Sequence, residues 1–359
     1  MRIGILHTAF IGDVILSGLL VEALYAAGHE IIYFTKKNTC IIFAPDIRIK
    51  KVIEIQKGSG ANKIFAPKKI AAQIAHEQCD VLLVPHRSAT STLSAYFSKV
   101  KLTIGFQNAA LSFLYKRTVP FQKNEHECIR YLALLNSFVD KSILETHLKL
   151  ARPILRYDSN AYSQFNEKFK FIRKENFFIL AVGSVWKTKK YLVEHWVEVA
   201  FQFLSAHPNY DCILTGSHGD KEDIDFFLSL FKEKCSHSPA LIEKVVNAVN
   251  LFSLFEFGLL TSYAKFVLSN DSSPVHFASA FNVPILSIFG PTVPEFGFAP
   301  TSNNSIIVSY ADEKGERLPC QPCSIHGKNV CPKGHFKCMK ELTPATVIKG
   351  IEGLLGEKN

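Results

Sequence analysis

Three groups of side chains in this 359-residue chain have the types and spacing to do chemistry. The first is a lone acid. Asp13 stands where an apolar strand, Arg2–His7, gives way through the loop Thr8–Asp13 to a helix. A carboxylate at such an edge can remove a proton as general base; an ordinary helix N-cap is the other account of an Asp here. The second group is basic. Lys187-Thr188-Lys189-Lys190 follows the apolar run Phe177–Val182 and the turn Gly183-Ser184. Ammonium groups and a hydroxyl suit the oxygens of a diphosphate without imposing a fixed geometry, whereas a solvated basic loop would need no ligand. The third is Asp271-Ser272-Ser273-Pro274-Val275-His276, after the apolar run Phe266-Val267-Leu268. Pro274 suits the start of a helix, and Ser272 or Ser273 can cap it. A helix start points bare N–H groups and positive dipole at whatever lies in front of it, which favours a phosphate, and His276 in the first turn adds a donor.

Four further features carry weaker signals. Arg87, in Pro85-His86-Arg87-Ser88, can meet a carboxylate or phosphate bidentately; a solvated loop arginine is the alternative. His126 and Arg130 are four apart at the start of a helix running to about Phe138 and share a face, but Arg at the fifth position rules out the H-E-x-x-H zinc pattern. Cys320, Cys323, Cys331 and Cys338 cluster near the end. Their first half has zinc-like spacing and the second half does not repeat it, so a cysteine-rich loop without metal is expected. The aromatic and basic stretch Tyr96–Tyr115 is read as ordinary core, with a membrane surface as its other possible neighbour.

The elements that must position these groups alternate strand and helix. Val14–Ala27 reads as an amphipathic helix closed by Gly28, followed by strand Ile31–Phe34. Val52–Ile55, Val81–Val84 and Thr103–Phe106 read as strands, with a helix around Lys68–Gln78. Ala151–Lys174 is polar and reads as a linker. Beyond it come strand Phe177–Val182, helix Val193–Ala206, strand Cys212–Thr215, helix Glu222–Phe231, strand Val245-Val246, helix Leu254–Leu260 and strand Ile285–Phe289. Thr343–Leu355 reads as a last helix. This is an α/β chain of two domains, 1–160 and 161–359, whose ligand loops gather at strand ends. The first βαβ lacks G-x-G-x-x-G, which argues against a dinucleotide site.

A hydrophobic content of 47% with 20% charged residues indicates a folded globular protein. The net charge of +9 favours an anionic partner, though charge for solubility alone would serve. No RNP, helix-turn-helix or clean zinc-finger pattern appears, so no nucleic acid is expected as partner. No apolar run is long enough to span a bilayer, and His7, Asp13 and Glu22 interrupt the leader-like start, so a cytoplasmic location is expected. The scattered Cys40, Cys79, Cys128, Cys212 and Cys235 read as small hydrophobes in a reducing compartment.

Taken in order, ILHTAFIGDVILSGLLVEAL, PHRSATSTLSAYFSKVKLTIGF, HECIRYLALL, GSVWKTKKY, SNDSSPVHFASAFNVPILSIFGPT and the CQPC…CPKGHFKCM tail resemble the ADP-heptose:lipopolysaccharide heptosyltransferases, glycosyltransferase family 9, over nearly the whole chain. The resemblance is greatest to the heptosyltransferase II branch. It implies a glycosyltransferase-B fold, two Rossmann-like domains facing across a cleft, with the donor held by the C-terminal domain and the lipid acceptor by the N-terminal one. It implies Asp13 as the base and Lys189 as the group that stabilises the leaving diphosphate. Gly12, Ser184, Thr188, Lys189, Gly216, Asp271, Ser272, Ser273, Val275 and His276 are the implied donor-binding set. Arg87, Arg117, His126 and Arg130 are expected toward the anionic acceptor. Where the family has Gly-Pro this chain has Ser273-Pro274, which adds a β-carbon close to the expected phosphate.

The reaction so implied is inverting transfer of heptose from ADP-heptose to the lipopolysaccharide inner core. No metal or other cofactor is expected, and the place of work is the inner face of the cytoplasmic membrane, as a peripheral protein. A related transferase using another sugar nucleotide, or a nucleotide-sugar epimerase of the same fold, is the alternative.

Overall fold

The computed structural model describes residues 1–55, 64–170, 172 and 176–356. It divides into two compact units, Met1–Gln164 and Phe165–Asn359. Unit 1 holds strands β1 (Arg2–Leu6), β2 (Glu30–Lys36), β3 (Lys51–Ile55), β4 (Val81–Val84), β5 (Leu102–Phe106) and β6 (Arg117–Val119). Unit 2 holds β7 (Phe177–Ala181), β8 (Asp211–Thr215), β9 (Val245–Asn247), β10 (Phe266–Asn270), β11 (Ile285–Phe289) and β12 (Ser305–Ser309).

Each unit is one six-stranded parallel sheet. The order is β3-β2-β1-β4-β5-β6 in the first and β12-β11-β10-β7-β8-β9 in the second. Counted within its own unit, the second order read backwards is the first. Both are Rossmann sheets, in which the chain reverses its direction of travel between the first and fourth strands. The central strands run as unbroken apolar stretches because helices cover both faces: β4, β7, β10 and β11 are buried throughout. In unit 2 the helix Val193–Ala206 drives Trp196, Val199, Ala200 and Phe203 into that core, and Pro344–Leu355 adds Val347, Ile351 and Leu354.

Three elements differ from the sequence-based expectation. The helix read as Val14–Ala27 is two, Ile11–Leu16 and Gly18–Ala26, and it is buried on every side from Val14 to Leu24. The break falls at Ser17, whose hydroxyl donates to the Val14 carbonyl oxygen at 2.7 Å and lies 2.7 Å from the Tyr33 hydroxyl. The next residue must be glycine, since a β-carbon on Gly18 would stand 2.3 Å from the Ile154 carbonyl oxygen. The stretch read as a linker is also structured. Tyr157 bridges to Asp46, the Ile154 carbonyl accepts from Arg48 Nη2 at 2.8 Å, and Ser159–Lys168 is a helix. Residues 171, 173 and 174 of that stretch lie outside the described residues. The helix after His126 is short, Glu127–Leu132, and ends in a 3-10 turn, Ala133–Leu135. Among the described residues, no helix is long and apolar enough to cross a membrane.

Candidate active site

In unit 1 the loops after β1 and β4 meet at the reversal point of the sheet. Asp13 is the third residue of the helix Ile11–Leu16, and Phe10, not Asp13, is the N-cap. The half-buried carboxyl is pushed up to about 7. Burial is the largest cause and the neighbouring Glu127 carboxylate the second; backbone N–H groups of Asp13 and Phe10 and the Arg87 guanidinium pull the other way. Among the described residues no ion pair reaches Asp13. Gly12 precedes it and is half-buried.

Glu127, which the sequence did not single out, is buried and anchored by Arg130 Nη1 at 2.6 Å. Arg130 spends its other donors inside the unit, Nε on the Gln122 carbonyl at 2.8 Å and Nη2 on the Lys123 carbonyl at 2.5 Å. These contacts give it a structural task within the unit. His126 is the N-cap of the same helix, its Nδ1 accepting from the Cys128 N–H at 3.3 Å. Arg87 is exposed and stacks over Phe121 at 4.1 Å from the ring centre. Arg117 lies exposed on the edge strand β6, two strands from β4. Beneath the crevice His7 and His86 stack, Thr8 Oγ1 lies 2.7 Å from His86 Nδ1, and His7 Nε2 lies 3.2 Å from the Tyr131 hydroxyl.

In unit 2 the loops after β7 and β10 meet at the equivalent point, and here a cation and an acid do pair. Lys189 Nζ is 2.6 Å from Asp271 Oδ2, and the Thr292 hydroxyl donates to the same oxygen at 2.6 Å. Asn270, also missed by sequence reasoning, stitches the two loops. Its Nδ2 donates to the Val182 carbonyl at 2.7 Å, and its Oδ1 accepts from the Tyr191 N–H at 3.0 Å. It is wholly buried. The helix Ser273–Phe281 starts where expected, but Ser272 does not cap it: its hydroxyl donates to the Gly183 carbonyl at 3.3 Å. Among the described residues no side-chain cap bond is made at the start of this helix, a condition that suits an anion there. Val275 and His276 are buried in its first turn.

Other members of the expected donor set have local work. Thr188 is tied to the tail: its N–H and hydroxyl donate to the Lys328 carbonyl at 2.9 and 2.8 Å, and the hydroxyl accepts from the Lys328 N–H at 2.8 Å. Its hydroxyl, expected in the donor set, is engaged with this backbone. Gly327 fits beneath, at φ 93°, with Trp186 and Lys189 too close to admit a β-carbon. Ser184 accepts from the Trp186 N–H at 3.4 Å. Gly216 packs under Ile224 and accepts from the Asn250 N–H. Lys190 binds Asp220 at 2.8 Å and Asp223 at 2.7 Å, so its charge is compensated within the unit.

One D-x-D triplet, Asp223-Ile224-Asp225, occurs in the chain, against a sequence reading that expected none. It lies inside the helix Lys221–Lys234 with Ile224 buried, Asp223 on Lys190 and Asp225 on Lys221. All nine cysteines are free thiols. Cys320 Sγ lies 3.8 Å from His335 Nε2, and the Cys323 N–H donates to the Pro291 carbonyl, which lays the cysteine-rich tail beside the loop after β11. Among the described residues no group of three or more His, Cys, Asp or Glu side chains is arranged to hold a metal ion.

The sequence profile of glycosyltransferase family 9 (heptosyltransferase) matches residues 68–326, well over half of the chain. The chain belongs to this family. It is a glycosyltransferase. A lipooligosaccharide heptosyltransferase 2 of Campylobacter jejuni is 26% identical over 283 residues, 74% of this chain and 78% of the relative. The lipopolysaccharide heptosyltransferase 2 of Escherichia coli is 22% identical over 364 residues, 99% of each. The solved structure of E. coli ADP-heptose lipopolysaccharide heptosyltransferase II superposes with a TM-score of 0.77 at 19% identity, covering 99% of both chains. At that identity the match speaks for the fold, and it agrees with the two-sheet, glycosyltransferase-B reading of the sequence.

Proposed function

We propose that this family 9 enzyme moves a heptose from ADP-L-glycero-D-manno-heptose to the inner core of a lipopolysaccharide, as a heptosyltransferase II does, with inversion and without a metal. The names of its relatives support the donor and acceptor classes. The observation that carries the reading is the pair of reversal points, one presenting a poised carboxylate and the other a lysine beside an uncapped helix.

In this proposal unit 2 takes the donor. The diphosphate settles on Lys189 and the start of the helix Ser273–Phe281, and Asp271 yields part of its hold on the ammonium. Unit 1 takes the acceptor, with Arg87 near its anionic groups. Asp13 removes the proton from the attacking hydroxyl as the bond from the anomeric carbon to the diphosphate oxygen breaks. Positive charge grows on the sugar ring and negative charge on the leaving phosphate. The ionised carboxylate offsets the first, and the ammonium and helix N–H groups offset the second. Lysines engage both carboxylates of the D-x-D triplet, which supports metal-free transfer. The acceptor is a lipid, so the enzyme works as a peripheral protein at the inner face of the cytoplasmic membrane.

The test is incubation with ADP-heptose and a set of truncated lipopolysaccharide cores, with the products weighed. One core gaining a single heptose with release of ADP is the expected result. Consumption of the sugar nucleotide without any acceptor would point instead to an epimerase of the same fold.

A further inference from the structure

The outer layer of unit 1 carries a face that the reaction does not use. Helices Ala66–His76 and Ala89–Phe97 pack side by side, sending Ile70, Ile74 and Ala95 into the core. Their other side leaves large apolar groups in water. Ile64 is 79% exposed, Phe65 59%, Tyr96 52% and Phe113 79%. Tyr96 is joined to the helix that follows Ile64 and Phe65 through Phe97 and Lys68. The Tyr96 and Phe97 rings touch edge-on at 5.5 Å, and Lys68 Nζ reaches across from the neighbouring helix to 5.9 Å from the Phe97 ring. One turn before Tyr96, Thr92 donates to the Ala110 carbonyl at 2.7 Å and lies 2.9 Å from the Tyr115 hydroxyl. That pins the segment bearing Phe113 against the same helix.

The charge around these groups is mostly positive. Between residues 64 and 119, leaving aside Arg87 of the acceptor side, there are six basic side chains, Lys68, Lys69, Lys99, Lys101, Lys116 and Arg117, and two acidic ones, Glu77 and Asp80. Glu77 is buried and already held by Arg2 and Lys51, so it does not offset the exposed lysines. Lys68, Lys69, Lys99 and Lys101 are all exposed.

We propose that this face docks on an anionic lipid bilayer, its aromatic and aliphatic tips entering the headgroup layer while the lysines meet lipid phosphates. The proposal rests on the peripheral-membrane reading above and names the surface that does the binding. A purely polyanionic partner would reward the lysines and leave Ile64, Phe65 and Phe113 unexplained. An apolar protein groove would reward the tips and leave the excess of positive charge unexplained. A headgroup layer rewards both, because rings and aliphatic tips settle at the acyl boundary while long lysine stems reach back to the phosphates.

The test uses the full chain and vesicles rich in phosphatidylglycerol, with phosphatidylcholine vesicles as control, in a co-sedimentation assay. Wild type is expected to bind the anionic vesicles, to release them as salt is raised, and to ignore the neutral ones. Two variants follow. One carries Lys68→Gln, Lys69→Gln, Lys99→Gln and Lys101→Gln. The other carries Ile64→Ser, Phe65→Ser and Phe113→Ser; Phe65 is the N-cap of its helix, where serine is favoured, so the fold is not put at risk. The charge variant should lose about a hundredfold or more in vesicle affinity. The apolar variant should lose at least about tenfold. Both should keep wild-type turnover on a detergent-dispersed core. If wild type binds but both variants bind equally well, this face is the wrong one while the membrane reading stands. If wild type itself ignores anionic vesicles, the membrane reading fails and takes the surface with it. If the variants lose turnover on dispersed core as much as vesicle binding, the face belongs to the acceptor site and the docking role is overturned.

Discussion

Asp13 and Asp271 each lie at the reversal point of a sheet of the same order, Asp13 after the first strand and Asp271 after the fourth, and their surroundings are opposed. Asp13 is held up to about 7 by burial first and the Glu127 carboxylate second; Arg87 is near enough to pull weakly the other way, but no cation pairs with it among the described residues. Asp271 has an ammonium at 2.6 Å and a hydroxyl at 2.6 Å. The fold supplies the same edge twice, and side chains decide what each edge does. A carboxylate kept from a cation retains an appetite for protons; one bound to lysine is spent on holding that lysine in place. On this view unit 1 contributes proton transfer and unit 2 contributes compensation of phosphate charge. The comparison can be broken at either end.

The largest effect is expected at the unit 1 end. Asp13→Asn keeps the volume and removes the basicity, so turnover should fall by about 10²–10⁴-fold while ADP binding, measured by calorimetry, stays within experimental error of wild type. Near-normal turnover in this variant would show that the proton leaves by another route. Lys189→Ala comes next. Turnover should drop by about 10²–10³-fold for loss of leaving-group stabilisation. Asp271 would then be buried without its cation, at a cost of about 3 kcal/mol in stability. Adding Asp271→Asn should recover most of the lost melting temperature and none of the turnover. A double variant that regains activity would mean the pair is structural only.

The contrast between the two edges was only half legible in the sequence. Strands such as Val81–Val84 and Ile285–Phe289 could be placed because parallel strands buried on both faces leave unbroken apolar runs. Edge strands β6 and β12 could not: β6 is three residues with one apolar side chain, and β12 is a short, partly exposed apolar run between two serines. The break at Ser17 depends on Tyr33 and Ile154, and no local pattern reports partners that far along the chain. The same limit applies to the site. Asp13, Lys189 and Asp271 are readable as residue types at strand ends. That Glu127 stands near one, or that Asn270 stitches the loops around the others, follows only from the folded chain.

A pH profile sharpens the comparison with a smaller effect. Only the ionised carboxylate of Asp13 accepts a proton, so turnover should rise with pH through about 7. Stability should run the opposite way. The folded pKa lies above the unfolded value of roughly 4, so the native state holds the extra proton between the two. Asp13's contribution is therefore lost as pH climbs through that window. Glu127→Gln removes the like charge and keeps a partner for Arg130. The acid limb of the turnover profile should move to lower pH, but only part of the way, because burial is the larger cause. An unmoved limb would remove Glu127 from the account.

The smallest effect concerns how Lys189 is held at all. Its neighbour Thr188 is knotted to Lys328, 140 residues further on, through a hydroxyl that both donates and accepts. Thr188→Val keeps the shape and strands the Lys328 N–H, at a cost of about 1–3 kcal/mol in stability. With the loop loosened, the KM for ADP-heptose should rise several-fold while kcat changes less, since the lysine is still present and must only be recaptured. Thr188→Ser, which keeps the hydroxyl, should restore both quantities. A hydroxyl that gripped the diphosphate directly would behave otherwise: Thr188→Val would then cost kcat on the scale of Lys189→Ala and leave the melting temperature almost untouched. Measuring kcat, KM and melting temperature on the same two variants separates a residue that touches the donor from one that holds the residue that does.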